Sequence, residues 1–213
     1  MGVALVDIGS TLSSLSIFYN GTILFTKIIP LGGNMITNDI SRIFSLSKAD
    51  SERVKIINGQ LIEELENSLS IIEVDALGND NDSVEITRKD LISVIKPRVK
   101  EIINTLKEQV LESGYNHLIA NRVVITGGAS QMDGVIEITS KIIEKRARLG
   151  KSSVIKGIPD NMRSSSFSAI NSLLTYSIIN NNDISVKNNI KSNNSEGLYS
   201  YLIKFKNWIL ENF

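Results

Sequence analysis

The sequence predicts an α/β fold, and three observations carry that expectation. Residues 3–6 (Val-Ala-Leu-Val) and 123–126 (Val-Val-Ile-Thr) are short apolar runs of the kind that form buried strands. Asn20-Gly21 between two apolar segments is the strongest short-range hairpin signal. Ile36, Ile40 and Ile43-Phe44 then recur at helical spacing, so the period changes from strand to helix.

The elements follow in order. The first strand begins at the start of the chain and ends at Asp7. Residues 15–19 form a second strand and residues 22–29 a third, joined by a type I′ turn at Asn20-Gly21. Pro30-Leu-Gly-Gly33 closes this meander, and the helix carrying Ile36 and Ile40 comes next. Ser47 with Asp50 resembles a capping box that opens a short helix through Val54-Lys55-Ile56, stopped by Asn58-Gly59. Residues 60–87 read as irregular strands and loops, with Gly78-Asn-Asp-Asn-Asp-Ser as a turn. Thr87-Arg-Lys-Asp90 caps a long helix to about Glu112, and Pro97 predicts a kink or break inside it. After the strand at 123–126, Gly127-Gly128 leads to a helix over 132–143, and residues 152–155 are a candidate strand. Residues 167–179 predict a last buried helix with Ala169, Ile170, Leu173, Leu174 and Ile178 as its apolar face. Residues 180–197 are rich in Asn and Ser and read as a flexible tether. The final stretch, 198–213, is amphipathic.

Composition narrows the chemistry. Of 213 residues, 42% are hydrophobic and 22% charged, which suits a globular core. The formal net charge of +0 gives no argument for nucleic acid. With no cysteine, disulfides and thiolate metal sites are excluded. His117 is the single histidine, so a His-based metal cluster is excluded too, and its setting in Gly114-Tyr-Asn-His reads as a surface loop. The chain shows no signal peptide. Met1-Gly2 is not read as a myristoylation signal, because a strand follows at once. No apolar run approaches the ~20 residues that cross a bilayer. These features predict a cytosolic protein unless something attaches it to a surface.

Three motifs carry chemistry. Asp7-Ile-Gly-Ser-Thr11 ends a strand with an acid and a tight turn, which is how phosphate-binding hairpins are built: small residues admit a phosphate to backbone N–H groups, and the acid holds a divalent metal, usually through water. Alone the signal is weak, since a strand ending in Asp-x-Gly is commonly a plain turn. Strand–Gly127-Gly128–helix removes side chains where a flat or anionic ligand would lie, with a helix dipole behind it; alone, it is also common α/β structure. Glu52 and Lys55 share a helix face. They read either as a surface ion pair or as a pair gripping ribose hydroxyls and an adenine edge.

The order of the three motifs resembles the second half of the actin-like (ribonuclease H-like) ATPase fold, and within it the FtsA family of cell-division proteins. The stretches that carry the resemblance are 3–9, Ile29-Pro-Leu-Gly-Gly-Asn-Met-Ile-Thr-Asn-Asp-Ile40, Glu52-Arg-Val-Lys55, Ile95-Lys-Pro-Arg98 and Ile125-Thr-Gly-Gly-Ala-Ser-Gln-Met-Asp-Gly134, with the tether and terminal helix. The resemblance implies ATP and Mg as cofactors. It places Asp7 (the Mg site, through water), Gly9, Ser10 and Thr11 at the second phosphate loop, Glu52 and Lys55 at the ribose and adenine contacts, and Gly127, Gly128 and Ala129 at the adenosine loop. It implies an actin-like second lobe over 1–179 with a smaller subdomain inserted at about 43–117. It also implies a peripheral protein on the cytoplasmic face of the bacterial inner membrane at the division site, binding the FtsZ C-terminal tail and self-associating into actin-like filaments. Arg98 is the candidate for tail binding, since a guanidinium suits a carboxylate; it is equally a solvated surface arginine.

Two departures qualify the expected activity. Ser10 and Thr11 stand where the family carries glycines, so side chains crowd a phosphate. The resemblance covers one lobe, which predicts weak nucleotide binding, no useful hydrolysis by this chain alone, and a truncated or split product. An intact ATPase, a pilus-assembly scaffold or an inactive remnant are the competing readings.

At about 100° per residue, Leu198, Leu202, Phe205, Ile209 and Phe213 fall on one helix face, flanked by Tyr201 and Trp208. Ser200, Lys204, Asn207 and Glu211 fall opposite, and Lys206 lies at the border. This suits an interfacial membrane helix; a helix packing on the body or on another protein would give the same pattern.

Overall fold

The computed structural model describes residues 1–62, 70–75, 83–150 and 157–180. Strand β1 (Gly2–Ile8) alternates buried and half-buried positions, with Ala4, Val6 and Ile8 on the buried side. It therefore follows the period of two of a sheet with one face well covered, rather than burial of every side chain. β2 (Ser13–Tyr19) and β3 (Thr22–Ile29) continue antiparallel from it. Asn20 at φ 48° and Gly21 at φ 82° supply the two positive dihedrals of a type I′ turn. Helices α1 (Gly33–Phe44) and α2 (Lys48–Asn58) follow, then the hairpin β4 (Ile71–Asp75) and β5 (Ser83–Thr87). The long helix α3 (Arg88–Glu112) leads into β6 (Ile119–Thr126), α4 (Val135–Ile143), β7 (Arg146–Leu149) and α5 (Ser168–Asn180).

The main sheet has the order β3-β2-β1-β6-β7, with β1, β6 and β7 mutually parallel. Parallel neighbours need crossovers, and α4 provides the one from β6 to β7. α3 lies at the centre of the core. Leu91, Ile95, Ile102, Ile103 and Leu106 are each at most 1% exposed, and α3 packs against α1 and α4. Thr87 caps α3 by accepting from the Asp90 N–H at 3.1 Å, as the sequence predicts. Pro97 does not break α3, because Ile95 and Val99 on either side of it are buried and hold both halves in place.

Several expectations are corrected. Ile43 is 53% exposed and leaves the buried face of Ile36 and Ile40, because α1 ends at Phe44 and Ser45 turns left-handed at φ 54°. α4 starts at Val135 and not at 132, because Gly134 at φ 88° interrupts the helical path. A strand forms at 146–149, before the candidate at 152–155, which lies outside the described residues. Of the 60–87 segment, residues 60–62, Ser70, β4 and β5 are described, and the turn between β4 and β5 is not. The chain divides into two units, Met1–Thr175 and Tyr176–Phe213, the division falling inside α5. α5 was expected to be buried, yet Ala169 is exposed, and Ile170, Leu173, Leu174 and Ile178 are 57%, 69%, 45% and 57% exposed. Helical spacing identifies apolar residues but not a surface to cover them. The tether at 180–197 and the amphipathic stretch at 198–213 lie outside the described residues, except that Asn180 ends α5. No described helix is long and apolar enough to cross a membrane.

Candidate functional site

The turn after β1 is docked onto the start of α1. Gly9 N–H donates to Leu12 O at 3.0 Å, closing the turn. Gly33 N–H donates to Gly9 O at 2.9 Å and Asn34 N–H to Ser10 O at 2.7 Å. Ser10 Oγ donates to Asn34 Oδ1 at 2.6 Å, and Ser13 Oγ to Leu31 O at 2.6 Å. A side chain at Gly32 would place Cβ 2.5 Å from Ser10 O, so only glycine permits this approach. The first amides of α1 are thus satisfied by the turn and are not left for an anion. Ser10 and Thr11 are exposed, and among the described residues their backbone N–H groups make no hydrogen bond.

Glu52 and Lys55 are not a surface pair. Lys55 is buried, and its ammonium donates to Glu52 Oε2 at 2.6 Å, Thr37 Oγ1 at 2.9 Å and Gly33 O at 3.2 Å. Thr37 Oγ1 in turn donates to Glu52 Oε2. All three ammonium protons are engaged, so Lys55 ties α2 to the first turn of α1. Burial pushes the Glu52 carboxyl up, but hydrogen bonds from Lys55 and Thr37, with the Lys55 charge, outweigh it and hold Glu52 below its ordinary value. A carboxylate held low stabilises the fold above the ordinary glutamate range and loses that contribution as pH falls through its own depressed range. Glu52→Gln is therefore expected to lower the urea midpoint at neutral pH, and the difference from the parent is expected to shrink as pH falls below the ordinary glutamate range. A midpoint difference that persists in acid would show that the charge is not the cause.

The third segment follows β6. Gly127 adopts φ 91°, ψ 168°, a region essentially reserved for glycine. A Cβ there would lie 2.4 Å from Ile8 O and 2.5 Å from Asp7 Oδ1, so Asp7 sits directly behind this turn. Gly128–Gln131 is a single turn of 3-10 helix, not the start of α4. The expected helix dipole is therefore not aimed at Gly127–Ala129. Serines hold the turn instead: Ser130 Oγ donates to Gly127 O at 2.7 Å, and Gly127 N–H donates to Ser165 O at 3.2 Å. Burial pushes the Asp7 carboxyl up, and among the described residues it has no hydrogen-bond or ion-pair partner.

These three segments meet at Gly33. A Cβ at that position would lie 3.4 Å from Ala129 Cβ, 3.5 Å from Lys55 Nζ and 3.6 Å from Gly9 O. The cleft they bound has a volume of about 420 Å³, and Gly9, Ser10, Glu52, Lys55, Gly128 and Ala129 all line it. That is within the range of small-molecule sites, roughly 300–1,000 Å³. Asp7, Thr11 and Gly127 do not line it, although Asp7 and Gly127 support its wall. Sequence reasoning missed Gly33 and Gly59 as lining residues; their position at helix boundaries was the available signal. Gln131, Met132 and Asp133 were quoted for the resemblance but given no role, and nothing local points to Ser166. Arg98 stands apart from the cleft. It grips Asp39 of α1 through two nitrogens at 2.6 and 3.0 Å and Glu101 at 2.5 Å, so it is engaged within the chain. His117 is exposed in a turn, as predicted.

A sequence profile described as "Cell division protein FtsA" matches residues 4–172. The chain belongs to the FtsA family. The FtsA of Pseudomonas aeruginosa is 32% identical over the whole of this chain and 51% of its own length. The chain thus spans about half the length of that relative. Among solved structures, MreB5 of Spiroplasma citri bound to ADP superposes with a TM-score of 0.64 at 15% identity, covering 86% of this chain and 56% of that one. A PilM–PilN type IV pilus biogenesis complex superposes with a TM-score of 0.59 at 17% identity, covering 82% of this chain and 45% of that one. At these identities the likeness speaks for the fold alone: the mixed α/β architecture is the actin-like one that the motif order predicts, shared between the FtsA family and a pilus protein.

Proposed function

We propose that the chain supplies one wall of the nucleotide cleft of an FtsA and, through residues 198–213, holds FtsZ at the cytoplasmic face of the inner membrane during septum assembly. The observation that carries the first part is the convergence of three distant segments, Gly9-Ser10, Glu52–Lys55 and Gly128-Ala129, on one cleft. The cleft fits ATP with Mg. The Ser10 N–H, which makes no hydrogen bond among the described residues, suits a phosphate oxygen, and the side-chain-free face of Gly128 admits a flat ring. Asp7, which has no hydrogen-bond or ion-pair partner among the described residues, suits a cation bound through water. The bound cation would offset phosphate charge. Glu52 keeps one carboxylate oxygen for a ribose hydroxyl, while Lys55 positions Glu52 rather than gripping the base. Arg98 would reach an acidic FtsZ tail only by exchanging Asp39 or Glu101 for it.

The second part rests on the amphipathic pattern of 198–213 and on family membership. Co-sedimentation with liposomes and FtsZ tests it. FtsZ is expected to pellet with the full chain and not with a chain lacking residues 197–213. A chain that pellets without FtsZ would keep the membrane helix and reject the adaptor role for this half. Trp208→Glu places a charge on the apolar face and is expected to abolish liposome binding; retained binding would reject the helix.

A further inference from the structure

The end of the cleft far from Ser10 has a chemistry of its own. α2 runs along one wall, and from Glu52 to the Gly59 cap is about 10 Å at about 1.5 Å per residue. Glu52 sits beside Thr37, at the end where Gly33 meets Gly9. Gly59 marks the other end. There Ile56 and Ile57 line the cleft while 71% and 67% exposed, and a Cβ at Gly59 would lie 3.3 Å from Met132 Cε. Leu61 N–H donates to Asp133 O at 2.8 Å, which fixes Asp133 against this same end. Asp133 lines the cleft and is exposed, and among the described residues its carboxylate has no hydrogen-bond or ion-pair partner. Lys55 is the single cation among the described lining residues, and its three protons are engaged within the chain. This end therefore combines apolar side chains with a carboxylate that lacks a donor.

That combination suits a heterocycle with an amino edge. An ionised carboxylate accepts hydrogen bonds and donates none. Adenine presents a 6-amino donor where hypoxanthine presents a carbonyl oxygen, which a carboxylate repels. We propose that Asp133 selects the base: a nucleoside triphosphate lies along α2, its ring over Ile56 and Met132 and its 6-amino group donating to the Asp133 carboxylate. This rests on the nucleotide reading of the cleft and adds to it a preference for adenine over 6-oxopurines. A site that hydrogen-bonds a substrate N–H disfavours the analogue lacking it. Water around the exposed Asp133 moderates the effect, so the expected preference is about tenfold.

Amide chemical-shift titration of the full chain with the magnesium salts of ATP, inosine triphosphate and GTP tests the assignment. ATP is expected to bind about tenfold more tightly than either 6-oxopurine nucleotide. In Asp133→Asn the side-chain amide offers its oxygen to a 6-amino group or, turned over, its NH2 to a 6-carbonyl. The ratio of ATP to inosine triphosphate affinity is therefore expected to fall to within about twofold, chiefly through tighter binding of the latter. A side chain with a merely structural role would instead weaken all three nucleotides alike, and that result would overturn the assignment. Equal affinities in the parent, or a ratio unchanged by the substitution, would overturn it too. So would GTP binding more tightly than ATP, since the carboxylate would then be reading the 1-NH and 2-amino groups. Each of these results leaves the nucleotide reading standing. The absence of shifts with all three nucleotides would overturn both.

Discussion

Gly127→Ala is expected to destabilise the chain by roughly 2–5 kcal/mol, combining the cost of a glycine-only backbone with that of forcing a methyl group into its surroundings. The methyl would lie 2.4 Å from the Ile8 carbonyl oxygen, and a backbone atom cannot swing aside as a side chain can. Strands β1 and β6 are parallel neighbours at this point, with Asp7 paired to Thr126, so the displacement would spread into the sheet. Gly128→Ala is the control. The nearest heavy atom to a Cβ there is Ser166 Oγ at 3.9 Å, and the residue is exposed. It is expected to change stability by no more than about 0.5 kcal/mol, as surface substitutions usually do. Urea denaturation of the two variants checks this, and equal midpoints would refute the distinction. Because a methyl at Gly128 enters the cleft, that variant is expected to weaken nucleotide binding while leaving the fold intact.

Lys55→Met is expected to cost about 2–3 kcal/mol, since it removes charged hydrogen bonds from a buried network and leaves Glu52, Thr37 and the Gly33 carbonyl without their shared donor. The figure stays below that for a fully buried pair because the Glu52 side chain is 41% exposed. Lys55→Arg is not expected to rescue it. A planar guanidinium cannot reproduce three donors from one point, and the ammonium already lies 3.5 Å from where a Gly33 Cβ would be. Urea midpoints again decide. A loss of less than about 0.5 kcal/mol, the value of an exposed helical pair, would show that the network does not hold α1 to α2.

Much of the fold was legible because it rests on local rules. The Asn20-Gly21 turn, the Ser47 and Thr87 caps and the extent of α3 each follow from residues within a few positions of one another. The errors fall where distant residues decide. Gly59 stops α2 without the positive φ of a left-handed cap; it is glycine because a Cβ would lie 2.2 Å from Lys55 O. The helix expected from 132 is delayed to Val135 while Leu61 N–H bonds Asp133 O at 2.8 Å, joining two loops some seventy positions apart in sequence.

By itself, the sequence determined that this is an actin-like α/β chain of the FtsA family, because motif order and periodicity are properties of the chain and survive without coordinates. It also named Gly9, Ser10, Glu52, Lys55, Gly128 and Ala129 among the residues at the cleft. Only the tertiary structure decided what each one does. Lys55 read as one half of a surface pair or of a ribose and adenine grip, until burial removed its water and set its ammonium against three protein acceptors. Gly127 and Gly128 are indistinguishable as letters, yet one is fixed by a neighbouring strand and the other faces open space. Arg98 looked free until α1 brought Asp39 against it. In each case the physical reason is the same: burial, close approach and charge pairing depend on residues that fold to the site from elsewhere in the chain.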